Sequence, residues 1–93
     1  MKLSDILSIL EEMAPLGYAE DFDNVGLLVG NPNQEIDGVL VCHDALESVI
    51  DEAISKKCNL VVCFHPILFS GIKKITGKNY VERAILKAMK NDI

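Results

Sequence analysis

The chain has three cysteines, Cys42, Cys58 and Cys63, an odd number with no CxxC spacing. That pattern excludes a disulfide framework or a zinc ribbon, and the expectation is buried, reduced thiols. Positive charge is scarce: the net charge is −5 and the pI near 4.8, with no Lys/Arg cluster to offset it. Nucleic acid and anionic membrane surfaces are therefore poor partners. The longest apolar runs fall far short of a membrane span, and an N-terminus carrying Asp5, Glu11 and Glu12 is unlike a signal peptide. A cytoplasmic location is expected. Internal repeats and low-complexity segments are also missing.

What is present is enough for a core. Ninety-three residues, 49% apolar and 25% charged, have the balance of one small globular domain or part of a larger one. The organising stretch is Asn59-Leu-Val-Val-Cys-Phe-His-Pro66. Its continuous apolar run, Leu60 to Phe64, reads as a strand buried on both faces, as in a parallel sheet. Pro66 lacks an N–H and ends the ladder. Upstream, Val39-Leu-Val-Cys42 reads as a second such strand. Between them, Leu46, Val49, Ile50, Ala53 and Ile54 form the apolar stripe of a helix, with Lys56 and Lys57 suited to its last turn. Strand, helix and strand in about thirty residues make a parallel βαβ unit.

Flanking helices complete the pattern. Leu3, Ile6, Leu7, Leu10 and Met13 have helical spacing, with Ser4 as the candidate N-cap and Pro15 as the stop. Val81, Ala84, Ile85, Ala88 and Met89 mark a last helix, and Asn79 to Glu82 has the spacing of a capping box. Asp44 to Glu47 has the same spacing. Asp21, Asp23 and Asn24 precede a short apolar run, Val25 to Val29, and are read first as turn-forming residues. Residues 67–77, broken by Gly71 and Gly77, read as a loop or short helical turn over the strand end. The fold class is thus α/β: a largely parallel, possibly mixed sheet flanked by helices. The pattern would continue into another strand, so residues 1–93 are expected to form one α/β domain that is a fragment of a longer protein.

Two parallel strands bring their carboxyl ends to one edge, where open α/β sheets bind ligands. One strand delivers His43 and Asp44, the other Cys63, Phe64 and His65, so both histidines of the chain arrive there. Imidazole and carboxylate are ligands for zinc, manganese, iron or nickel, or a general acid and base. Against this, Asp44 is most economically a helix N-cap, and His43 a hydrogen-bonded histidine at a strand end. His65, on a His-Pro stop after an apolar strand, is the strongest functional candidate. Three donors are few for a catalytic metal site.

Asp21-Phe-Asp-Asn-Val-Gly-Leu-Leu-Val-Gly30, the strand and helix Val39–Ile54, Asn59 to Phe69 and Lys74-Ile-Thr-Gly-Lys-Asn-Tyr-Val81 resemble the N-terminal part of the Nif-three-like (YbgI-type) proteins, also labelled GTP cyclohydrolase I type 2 homologues. The resemblance runs over essentially the whole chain. It implies a two-metal centre, commonly zinc or iron, in an α/β protein that assembles as a hexameric ring, and a metal-dependent hydrolase acting on an unknown small-molecule substrate. His65 carries over as a metal ligand, the second of an adjacent histidine pair. Phe64 stands where the first is usual and has no donor atom, which weakens one metal position unless His43 compensates. Asp44 matches a family aspartate beside the metals and, with Asn24, would orient the attacking water. The remaining ligands of the family lie beyond Ile93, so the chain alone is expected to hold an incomplete site and to be inactive by itself. The rival expectation is a non-catalytic binding or assembly module that needs no metal. Phosphate or nucleotide binding at the helix after Asp44 is disfavoured, because Asp44 brings negative charge and no glycine-rich loop precedes it.

Overall fold

Apolar residues at helical spacing and two Val-rich runs produce the order α1 (Leu3–Met13), a 3-10 turn (Leu16–Tyr18), β1 (Val39–Asp44), α2 (Glu47–Ser55), β2 (Leu60–His65) and α3 (Tyr80–Lys90). These come from a computed structural model that describes residues 1–19, 24–68 and 72–93. The α/β expectation holds. β1 and β2 pair in parallel, with Val39 opposite Leu60, Cys42 opposite Cys63 and Asp44 opposite His65. Among the described residues the sheet has these two strands, supplemented by one isolated antiparallel bridge between Lys2 and Glu35.

The helices α2 and α3 form one layer against this sheet. Ile50 of α2 and Ala84 and Ala88 of α3 are buried together, and Val61 of β2, Ile67 and Ile93 pack on them. The small Ala side chains let α3 lie close to α2, and ion pairs tie the outer edges: Lys87 reaches Asp51 at 2.8 Å and Glu47 at 3.1 Å, and Arg83 reaches Glu47 at 3.3 Å. With a single helical layer among the described residues, the strands are not buried on both faces as the apolar runs suggested. Side chains alternate along a strand, and the other face leaves Val41 74% and Phe64 77% exposed. The cysteines are correspondingly half-buried free thiols, not fully buried ones.

The strand starts are fixed by Asn59. Its Oδ1 accepts the Asp37 N–H at 2.9 Å, its Nδ2 donates to the Glu35 carbonyl at 2.8 Å, and its backbone N–H donates to the Gly38 carbonyl at 3.1 Å. Gly38 itself lies so close to β2 that an added Cβ would meet Cys58 Sγ at 3.2 Å and the Lys57 carbonyl oxygen at 3.3 Å. Setting the start sets the end, because the parallel register is uniform.

Several local expectations change. Ser4 lies inside α1; the N-cap is Lys2, whose N–H donates to the Asp5 carboxylate at 3.0 Å. Of the α1 stripe only Leu3 is fully buried, and Met13 is 76% exposed, because α1 leans on residues 32–36 through backbone bonds such as Leu3 N–H to Gln34 (2.8 Å) and not on the sheet. Val25–Val29 forms no strand. In α2 the cap residue is Leu46, and Lys56 and Lys57 fall just past the last turn, Lys57 with a left-handed φ of 58°. Met89 points outward.

Candidate metal centre

The paired strand ends deliver three donor side chains to one place. Asp44 and His65 are register partners, and His43 precedes Asp44. Their ligand atoms all lie within 4.8 Å of one another, on an exposed patch. The Asp44 carboxylate is the hub. Its Oδ1 accepts from His65 Nδ1 at 2.6 Å and its Oδ2 from His43 Nδ1 at 3.2 Å. These bonds, His65 first and His43 second, hold the Asp44 carboxyl below its usual range. An ionised carboxylate only accepts, so both bonded Nδ1 atoms donate, and it is the neutral form of each ring that offers an Nε2 lone pair.

The N-cap role of Asp44 is thereby overturned. The first turn of α2 has no side-chain cap; the Asp44 backbone carbonyl accepts from Leu46 N–H at 3.0 Å, and the side chain turns to the histidines. The reason is the extended backbone of β1, which runs through Asp44 and carries its side chain toward β2 instead of along the helix axis. Glu47 likewise turns away, to Lys87 and Arg83.

Phe64 occupies the space beside His43. Their rings stack with centroids 5.3 Å apart and planes 20° apart, and the His43 ring meets that of His65 edge-on at 4.5 Å. The position that carries no donor atom is thus covered by a neighbouring imidazole from β1. Beneath these groups lie Cys42 and Cys63, whose thiols are pushed up first by burial and then by nearby negative charge, Asp44 included. Neither thiol belongs to the group of converging ligand atoms. Asn24 is held elsewhere: its side-chain amide donates to the Leu68 carbonyl, and among the described residues it bonds to neither histidine nor Asp44. Asp21 and Asp23 lie outside the described residues.

The patch opens onto a cleft of about 280 Å³ whose far wall is Tyr80 and Val81, in the first turn of α3. Sequence reasoning missed both. Their approach is a tertiary contact across the 66–79 connection, and the one local signal was the Asn79 cap that fixes where α3 starts.

The whole chain, residues 1–93, matches the model of the Duf34/NIF3 (NGG1p interacting factor 3) family. The chain belongs to that family. It is 42% identical over 93 residues to a GTP cyclohydrolase 1 type 2 homolog of Clostridium acetobutylicum, covering all of this chain and 35% of that one. It is 38% identical over 94 residues to NIF3-like protein 1 of Bos taurus, covering 25% of it. In three dimensions it superposes on the crystal structure of Staphylococcus aureus protein SA1388 with a TM-score of 0.96 at 36% identity, covering 100% of this chain and 30% of that one. The chain thus spans about a third or less of the length of these NIF3 relatives.

In this NIF3 chain the constellation consists of donor types that a cation could use. Zinc and iron accept imidazole nitrogen, and metal-bound histidines commonly donate their other ring nitrogen to a carboxylate. Asp44 makes that carboxylate contact to both rings.

Proposed function

We propose that this NIF3-family chain is the N-terminal, metal-holding portion of a cytoplasmic metal-dependent hydrolase. The supporting observation is the Asp44 carboxylate bound to Nδ1 of both His43 and His65, which in neutral rings leaves Nε2 of each as the nitrogen open to a cation. His65 and His43 are the ligands in this reading, and His43 takes the place that Phe64 cannot fill. Asp44 stands beside the ion. It fixes the tautomer and orientation of each ring and strengthens its basicity. A divalent cation, zinc or iron, supplies Lewis acidity and acidifies water near neutral pH when bound. Asp44 is also the group placed to orient water there, whereas Asn24 reaches that role only by leaving Leu68. Two imidazoles and one carboxylate are fewer than a catalytic site needs, so further ligands come from outside these residues.

A second reading draws on the open sheet face. Val41 and Phe64 are three-quarters exposed, and apolar surface of this kind favours self-association. On this reading the chain is an assembly module of a homo-oligomeric ring, with or without chemistry.

Elemental analysis after chelator-free purification separates the two. The metal reading expects a stoichiometric ion in the wild-type chain and its loss in His65→Ala. Absence of metal from both would sink it and leave the assembly role.

A further inference from the structure

A second cleft, of about 540 Å³, adjoins the first; Pro66, Ile67, Tyr80 and Val81 line both. Its rim carries Lys73, Lys74 and Lys78. In the linear sequence these are a dipeptide and a nearby single residue, but the fold gathers them around one cavity. They are three of only nine Lys and Arg residues in an acidic chain. Among the described residues Lys56, Arg83 and Lys87 pair with Glu52, Glu47 and Asp51, and the other six, Lys73, Lys74 and Lys78 among them, make no ion pair; of those six, only these three line the cleft.

The loop that carries them is held from below. The Glu82 carboxylate accepts from Thr76 N–H at 2.9 Å, Thr76 Oγ1 at 3.3 Å and Lys78 N–H at 3.3 Å. Among the described residues Glu82 is the only carboxylate lining the cavity; its Oε1 is engaged by the loop's own donors, and it makes no ion pair with these lysines. A cavity of this size suits a small molecule, and lysines act on phosphate as point charges.

We propose that this cleft is the phosphate subsite of the substrate-binding region, so that a phosphorylated small molecule lies across Tyr80 with its phosphate at Lys73, Lys74 and Lys78 and its reacting end at Asp44 and His65. The part about the reacting end rests on the metal reading above; the phosphate subsite itself does not. Glu82 is a positioning residue, acting through the loop.

The test is an amide NMR titration of the metal-free chain with inorganic phosphate and with pyrophosphate, using acetate as the control anion. The expected result is saturable shifts confined to residues 72–82, stronger for pyrophosphate. Affinity falls about tenfold or more in Lys73→Ala/Lys74→Ala/Lys78→Ala, whose circular dichroism stays that of the wild type. Equal response to acetate, shifts centred on the start of α2, or no change in the triple variant would each overturn the subsite. So would phosphate that binds only after zinc is added and perturbs only residues 43–46 and 65–67, since the anion is then a ligand of the cation. A separate zinc titration reads the metal site: if it fails while phosphate still shifts residues 72–82, the metal reading falls and the subsite stands.

Discussion

The helices α2 and α3 begin with the same signal, an acid or amide followed three residues later by glutamate: Asp44 to Glu47 before α2, and Asn79 to Glu82 before α3. At α3 the signal is obeyed. Asn79 Oδ1 accepts the Glu82 N–H at 2.9 Å and the helix starts one residue later. At α2 it is not. Asp44 is the last residue of β1, its carboxylate is bound to two histidines, and the helix starts uncapped after Leu46. A capping aspartate and a histidine-orienting aspartate need different backbone conformations. The strand-end geometry that builds the candidate metal centre takes Asp44 away from the helix. The candidate site at one end of the unit is set against a helix cap, while the other end keeps its cap.

The broadest challenge to this comparison is removal of the layer both helices share. Ile50→Ala should cost about 2–5 kcal/mol, because Ile50 is 1% exposed and packs between α3 and β2. Urea unfolding measures it. A loss well below 1 kcal/mol would show that the two helices are not held by a common core, and the contrast between their ends would lose its frame. Next in size, Asp44→Asn should lower metal affinity roughly 10–100-fold with little change in stability, read by a zinc competition titration beside a thermal melt. An unchanged affinity would return Asp44 to the role of an ordinary polar residue. Asn79→Ala should show the opposite profile: a loss of about 1 kcal/mol and unchanged metal affinity.

The same contrast explains what could be read in advance. Val39–Cys42 and Leu60–Phe64 were legible as parallel strands because Val-rich runs bounded by Gly and Pro have few other solutions. The gathering of His43, Asp44 and His65 followed from that topology, since parallel strands end on one edge. What was not legible depends on chain segments distant in sequence. The burial of a strand's second face requires a second layer, which the described residues do not supply, so Val41 and Phe64 are exposed where their composition suggested a core. The Asp44 cap failed because spacing alone does not reveal whether a backbone is still extended at the capping position. The stacking of His43 on Phe64 and the wall formed by Tyr80 are contacts between elements, without a local signature.

The smallest effect concerns the two glutamates, Glu47 at the first position of α2 and Glu82 at the third of α3, which are both held below the usual carboxylate range, for different reasons. In Glu47 the leading cause is the bond from Lys87, then that from Arg83; in Glu82 it is the Thr76 backbone N–H, with the Lys78 N–H and the Thr76 hydroxyl adding to it. A carboxyl depressed in the folded state contributes stability above its unfolded pKa, about 4.3 for glutamate. That contribution disappears as pH falls through the lower folded value. Glu47→Gln and Glu82→Gln should therefore both flatten the acid side of the stability profile and have least effect below the folded values. Salt tells them apart. In about 1 M salt the Debye length is about 3 Å, so the effect of Glu47→Gln, which rests on exposed ion pairs, should largely vanish. The effect of Glu82→Gln should persist, because hydrogen bonds from backbone amides to a buried carboxylate are little screened. Equal salt sensitivity in acid unfolding curves of the two variants would mean that Glu82 works through the surrounding lysines and not through the loop amides. The loop at Thr76–Lys78 would then be held by charge alone, and a bound phosphate would compete with Glu82 for those lysines.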